Sequence, residues 1–243
     1  MTTITTTGDK IKEMMSLFSV CNNPVRLKFT TEGLKFAVID PSNTALMNGV
    51  FAPAYFTAYQ AAEEDIFIDV KNFDTVLKRL KKDSATLNIS EGEIEIKEKN
   101  TTWKVRPIEC EDIPPIPKID PENSITMDAA TFISEVERIA DVGDAMRFNI
   151  TDDGMSIEGI DGYKTPVTTS IPRDQFKTFA ICAPARTGFT TTYITDLMKG
   201  LPKGMELALR IDSDYPMRID LTTEDKTCKI SYFLAPRLEE EGL

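Results

Sequence analysis

Shifted along itself by 121 positions, the 243-residue sequence falls on a second copy of its own pattern, and this duplication limits the fold more than any other feature. The segment Val25–Asp40 lands on Met146–Asp161, with Arg26/Arg147, Thr30/Thr151, Gly33/Gly154, Ile39/Ile160 and Asp40/Asp161 identical. In the same register Ile11, Met15 and Phe18 meet Phe132, Val136 and Ile139. Further on, Phe73, Leu77, Lys78, Leu80 and Lys82 meet Ile194, Met198, Lys199, Leu201 and Lys203. Three segments in one gap-free register imply duplicated domains, because a period this long exceeds that of solenoid repeats.

Between the copies lies Cys110–Ser124, in which four of fifteen residues are proline. Proline lacks an N–H donor and fixes φ, so no helix or central strand runs through this stretch. It reads as an extended, semi-rigid connector. The expected division is an N-terminal domain over 1–109, a connector over 110–125 and a C-terminal domain over 126–243.

At 41% apolar and 28% charged residues, the chain can build ordinary cores. No apolar run is long enough to span a bilayer, and Met1–Thr7 has neither the basic start nor the apolar core of a signal peptide. Cys21, Cys110, Cys182 and Cys228 are widely spaced, which suits free thiols in a reducing cytosol. The sequence has no histidine, which removes Ser-His-Asp and Cys-His catalysis within one chain and leaves no zinc-ligand spacing. No phosphate-binding glycine motif is present. No cofactor and no metal are expected. A net charge of −11 argues against nonspecific adhesion to nucleic acid by the whole surface.

Periodicity predicts helices over Asp9–Val20, Val70–Lys82, Asp128–Asp141 and Thr192–Leu201. It predicts strands over Val25–Thr30, Leu34–Asp40, Thr44–Phe51, Ile66–Asp69, Thr86–Ile89, Glu93–Glu98 and Thr102–Ile108. In the second half it predicts Arg147–Thr151, Met155–Ile160, Met205–Asp212, Met217–Thr222 and Thr227–Leu234. Thr31-Glu32-Gly33 and Asp152-Asp153-Gly154 read as hairpin turns, and Tyr55, Phe56 and Tyr59 as core. The class is α+β: two similar domains of antiparallel sheets with two helices each. The four predicted helices, the last taken to Lys203, hold ten basic and eight acidic residues, whereas the rest of the chain holds 18 and 31. A relatively basic helical face on an acidic body suits an enclosed, nonspecific DNA track.

The C-terminal run Lys229-Ile230-Ser231-Tyr232-Phe233-Leu234-Ala235-Pro236-Arg237-Leu238-Glu239-Glu240 closely resembles the end of the sliding DNA clamps of archaea and eukaryotes, the proliferating cell nuclear antigen (PCNA) family. There an aromatic-rich strand runs into Leu-Ala-Pro, a basic residue and acids. Gly33–Leu46 resembles that family's strand and following loop. The resemblance covers essentially the whole chain. It implies a clamp fold in which three subunits close head-to-tail into a homotrimeric ring around double-stranded DNA, read without regard to sequence. Such a ring is a processivity factor without catalytic activity. It tethers DNA polymerase, clamp loader, ligase and nucleases through short Gln-aliphatic-aromatic-aromatic peptides, and has no membrane partner. Location follows the source: cytoplasmic and nucleoid-associated in an archaeon, nuclear in a eukaryote.

Carried over by position, the resemblance implies a DNA-facing set of Lys10, Lys12, Lys71, Lys78, Arg79, Lys82, Lys199 and Lys203. It implies a peptide pocket from Ile39, Asp40, Thr44, Leu46, Ile113, Ile116, Ile119, Tyr232, Phe233, Leu234, Ala235 and Pro236. Subunit contact is expected where the strand near Val105–Glu109 of one copy pairs with Thr178–Cys182 of the next, through Val105, Ile108, Thr178, Ala180 and Cys182. The third helix departs from the pattern: Arg138 stands against Asp128, Glu135, Glu137 and Asp141. Two other readings stay open. One is a subunit of a heterotrimeric clamp-like ring. The other is a metal-dependent hydrolase using Asp152-Asp153 and Glu63-Glu64-Asp65, since carboxylates can hold Mg²⁺.

Overall fold

The computed structural model describes residues 1–22, 24–110, 113–116, 118–160, 166–201 and 204–237. It divides into two compact units. Unit 1 comprises Met1–Ile116 with Gly200–Pro202 and Asp225–Ile230, and unit 2 comprises Pro117–Lys199, Lys203–Glu224 and Ser231–Leu243.

Unit 1 runs β1 (Thr2–Thr7), α1 (Gly8–Phe18), β2 (Val25–Thr30), β3 (Gly33–Ile39), β4 (Ala45–Phe51), β5 (Ala58–Gln60), β6 (Asp65–Ile68), α2 (Asp74–Arg79), β7 (Ser84–Ile89), β8 (Ile94–Glu98) and β9 (Thr101–Val105). The strands lie in the orders β5-β1-β7-β8-β9 and β4-β3-β2-β6. Unit 2 repeats the plan with β10 (Ser124–Asp128), α3 (Ala129–Glu137), β11 (Ala145–Thr151), β12 (Gly154–Ile160), β13 (Val167–Pro172), β14 (Thr178–Ala180), β15 (Ala185–Thr190), α4 (Thr191–Gly200), β16 (Met205–Arg210), β17 (Met217–Thr223) and β18 (Cys228–Leu234), the first three residues of which fall in unit 1. Its orders, β14-β10-β16-β17-β18 and β13-β12-β11-β15, match those of unit 1 strand for strand. Every registered pairing is antiparallel. The first strand of the second copy begins at Ser124, inside the expected connector.

The duplication extends to backbone detail. Gly33 and Gly154 open the second strand of each hairpin with φ of +136° and +146°. A Cβ at either would lie 2.3 Å from a carbonyl oxygen, that of Phe51 or of Ile171. Each unit also closes on aromatic packing over its first helix. Phe18 of α1 meets Phe36 at 5.0 Å, and Phe132 of α3 stacks on Phe148 at 6.2 Å. Thr7 caps α1 by accepting from the Lys10 amide, and Asp128 caps α3 by accepting from the Ala130 amide. Tyr55 and Phe56 are buried as expected. The Cys21 and Cys228 thiols are buried too, and burial pushes each up to about 12. Cys110 and Cys182 are exposed.

Four expectations need correction. The helix predicted over Val70–Lys82 is shorter: Val70–Phe73 winds as a 3-10 turn capped by Asp69, and α2 ends at Arg79. Leu80 turns extended, with ψ of 136°, and drops its side chain into the core. The last strand of unit 1 stops at Val105 instead of Ile108. Beyond it Pro107 removes a ladder donor, and the Ile108 amide donates instead to the Phe67 carbonyl at 2.9 Å. The helices also lose their positive balance, because within their observed bounds they carry five basic and six acidic residues. Finally, β5, β10, β13 and β15 were not anticipated.

Candidate functional site

The expected DNA-facing residues separate into three kinds. Lys71, Lys78, Arg79 and Lys82 are exposed on unit 1, around α2, and Lys81 joins them although sequence reasoning left it out. Helix α2 carries Lys78 and Arg79 in its last turn, where cations complement the carbonyl end of the helix. Lys10 and Lys12 differ from these in being half-buried. Lys10 Nζ donates to the Tyr55 carbonyl and sits 4.3 Å from that ring's centroid; Lys12 Nζ donates to the Leu80 carbonyl at 2.6 Å. Both ammonium groups saturate carbonyls at chain turns. In unit 2, Lys199 is exposed and pairs with Asp196 at 3.0 Å. Lys203 lies outside the described residues.

On the third helix, Glu135 accepts from the Thr169 hydroxyl of β13 and pairs with Arg138 at 3.5 Å. With Asp128 serving as the cap, two of the acids that break the basic pattern hold unit 2 together.

The expected peptide pocket also sorts by accessibility. In unit 1, Ile39 and Thr44 are half-buried at the rim of the β3–β4 loop, and Ile113 is half-buried on the connector. Ile116 is 50% exposed, which is unusual for an isoleucine. Asp40 and Leu46 are buried. Asp40 organises its own loop: its carboxylate accepts the Ala45 amide at 2.6 Å and the Ser42 amide at 3.0 Å. In unit 2, Ile119, Ala235 and Pro236 are half-buried. Tyr232, Phe233 and Leu234 are buried, and the Tyr232 hydroxyl donates to the Tyr193 carbonyl at 3.1 Å. Asp40, Leu46, Tyr232, Phe233 and Leu234 are thus buried, and the accessible apolar candidates are Ile39, Ile113, Ile116, Ile119, Ala235 and Pro236.

Of the carboxylates offered for metal chemistry, Glu64 and Asp65 are engaged by other groups of unit 1. Asp152 and Asp153 form the β11–β12 turn. Glu64 is buried and accepts the Thr2 amide at 3.0 Å, while Asp65 takes Arg26 in a two-point pair at 2.9 and 2.7 Å. Arg26 is the first cause that holds the Asp65 carboxyl below the usual range. Among the described residues no group of three or more His, Cys, Asp or Glu side chains could hold a metal ion.

No protein-family model matches the chain. Among curated proteins it is 27% identical over 247 residues to the DNA polymerase sliding clamp of Methanothrix thermoacetophila, covering 96% of this chain and 97% of that protein. It is 26% identical over 246 residues to the sliding clamp of Methanosarcina barkeri, with the same coverage. In fold it matches A. fulgidus PCNA bound to the C-terminal region of FEN-1, with a TM-score of 0.89, 24% identity and coverage of 99% and 100%. The chain has the sliding-clamp fold. A PCNA2–PCNA3 complex from Sulfolobus tokodaii matches at a TM-score of 0.84 with 18% identity, covering 98% and 100%. The resemblance first carried by the Leu234-Ala235-Pro236 end and the Gly33–Leu46 strand and loop thus extends over both halves of the clamp fold.

Proposed function

We propose that this chain is a sliding DNA clamp: a processivity factor that encircles duplex DNA as a ring of three copies and tethers DNA polymerase and other replication and repair enzymes. The observation that carries the reading is the match of the whole chain, both duplicated units included, to sliding clamps in sequence and in fold. The role is tethering, not catalysis. The direct test is a primer-extension assay with clamp loader and polymerase on a long template, in which addition of the chain lengthens the product of a single binding event.

Contact with DNA falls to the exposed cluster on α2 and its flanks. Phosphate contacts carry no sequence information, and each one lost flattens the salt dependence of binding by about 0.9 in log–log slope. Replacing Lys78, Arg79 and Lys82 together with alanine should cut processivity and lower that slope by about 2–3. Processivity and slope equal to the parent's would remove these residues from the DNA track.

Partner capture falls to the connector. Ile116 stands exposed in a proline-bounded segment that loses little entropy when a peptide docks against it. Ile116→Ala should weaken binding of a Gln-aliphatic-aromatic-aromatic peptide by about 1–2 kcal/mol, the scale of a buried anchor contact, without changing the melting temperature. Calorimetry checks this, and an unchanged affinity would move the peptide site off the connector.

For ring closure the repeat favours a different acceptor edge from Thr178, Ala180 and Cys182. Within unit 1, β4 is covered by the segment Asp225–Ile230: the Ala52 amide donates to the Thr227 carbonyl at 2.8 Å, and Gly49 lies against the Lys229 carbonyl. The counterpart of β4 in unit 2 is β13, which ends its sheet with no covering strand among the described residues. The donor edge is then β9, Thr101–Val105, at the end of its own sheet. Bare edges are liabilities unless paired, and one donor edge and one acceptor edge per copy make a head-to-tail contact that forms a ring where its rotation closes.

A further inference from the structure

The strongest unassigned feature is a four-residue charge network under the C-terminal end of the connector, wholly within unit 2. Arg210 and Arg218 are direct cross-strand partners on β16 and β17. Like charges placed opposite one another destabilise a sheet unless acids lie between them. Here two acids do. Asp220 takes Arg218 Nε at 2.9 Å, lies 3.8 Å from Arg210 Nε, and accepts the Ser231 hydroxyl at 2.6 Å. Asp120, from the connector, takes Arg210 Nη1 at 2.6 Å and lies 3.6 Å from Arg218 Nη1. Arg218 also donates to the Ile119 carbonyl at 3.5 Å and lies over the Phe233 ring at 5.7 Å. Just downstream, the Asp212 carboxylate accepts the amides of Glu122 and Asn123 at 2.8 and 3.2 Å. Buried Asn123 is held in turn by the Ala183 carbonyl and the Cys182 amide.

A single charge pair at the surface contributes little, but a network in which each arginine reaches two carboxylates fixes direction. Asp220 is satisfied by Arg218 and Ser231 without any help from Asp120. Asp120 is the one member supplied by the connector, and its side chain is 70% exposed. We propose that Arg210, Arg218 and Asp120 form a latch that positions the connector, holding Ile119 in the orientation that partner peptides meet. These are positioning residues, and the proposal rests on the partner-capture reading above. Because proline-rich chain is stiff, fixing its end at Asp120 limits the paths open to Ile113 and Ile116. An unlatched connector would populate the binding-competent arrangement only part of the time, and apparent affinity falls by that fraction.

The test uses the full chain with three variants, Asp120→Asn, Arg210→Gln and their combination, and Asp120→Glu as the charge-retaining control. Hydrogen exchange at the Ile113, Ile116 and Ile119 amides reads the latch, and calorimetry with a Gln-aliphatic-aromatic-aromatic peptide reads affinity. Asp120→Asn should speed exchange at these amides and weaken the peptide about three- to tenfold. The double variant should lose no more than Arg210→Gln alone, and Asp120→Glu should keep most of the affinity. Raising salt from 0.1 to 1 M, which shortens the Debye length from about 10 to about 3 Å, should mimic Asp120→Asn in the parent. Exchange equal to the parent's, or independent losses from the two single substitutions, would overturn the latch. Faster exchange with unchanged affinity would overturn its positioning role. If the parent itself fails to bind the peptide, the partner-capture reading falls and the positioning role falls with it.

Discussion

Replacing Gly154 with alanine is expected to destabilise unit 2 by about 3 kcal/mol, and Gly33→Ala to do the same to unit 1. Two effects combine at each site. A φ of +146° or +136° is nearly closed to residues with a Cβ and costs about 1–3 kcal/mol. The added carbon would also meet the Ile171 or Phe51 carbonyl oxygen at 2.3 Å, and backbone atoms can yield only by shifting a strand, at a further 1–3 kcal/mol or so. Gly92 is the control, since nothing lies within 4 Å of a Cβ built there, and Gly92→Ala should stay within about 0.5 kcal/mol of the parent. Denaturant titration of the three variants decides the point. Equal stabilities for Gly154→Ala and Gly92→Ala would mean that the duplicated hairpins do not depend on their glycines.

The second large effect is expected at the bare edge. Along β13 the backbone donors alternate between β12 and the outside. The Arg173 amide donates to the Asp153 carbonyl on the β12 side, so the Thr169 and Ile171 amides point the same way. Positions 168, 170 and 172 then face outward, and position 172 is already a proline, a residue confined to edge strands. Ser170→Pro removes an outward donor and adds ring bulk there without touching the β12 ladder. At about 3 kcal/mol per interface the association constant should fall roughly 100-fold, while the monomer keeps its melting temperature and circular dichroism. Sedimentation at several concentrations reads the outcome. A Ser170→Pro variant that associates like the parent would place the ring contact on another edge.

The duplicated plan could be read from the chain because each hairpin carries its signal locally: alternating apolar residues on either side of a glycine turn, repeated 121 positions on. The strands that escaped notice lack that signal. In β13 only Ile171 is buried, and its Thr168, Thr169 and Ser170 offer no apolar period. In β15 the buried positions include Thr187 and Gly188, which give no apolar pattern. The helix around Lys78 was read too long because Leu80 occupies a helical apolar position while its backbone is already extended. Site residues divided on similar lines. The exposure of Ile116 was legible because an isoleucine among prolines has little to bury against. Tyr232, Phe233 and Leu234 carried the resemblance but serve unit 2 as core, which a motif alone does not distinguish from a pocket wall. The Asp120–Arg210 pair spans 90 positions, and no local pattern marks it.

The central claim is that this chain closes a ring on itself, and the most direct measurement is its native mass in solution across the micromolar range. The account predicts a single species of three times 27.2 kDa for the parent. A parent chain that remains at 27.2 kDa at every concentration and salt would contradict it.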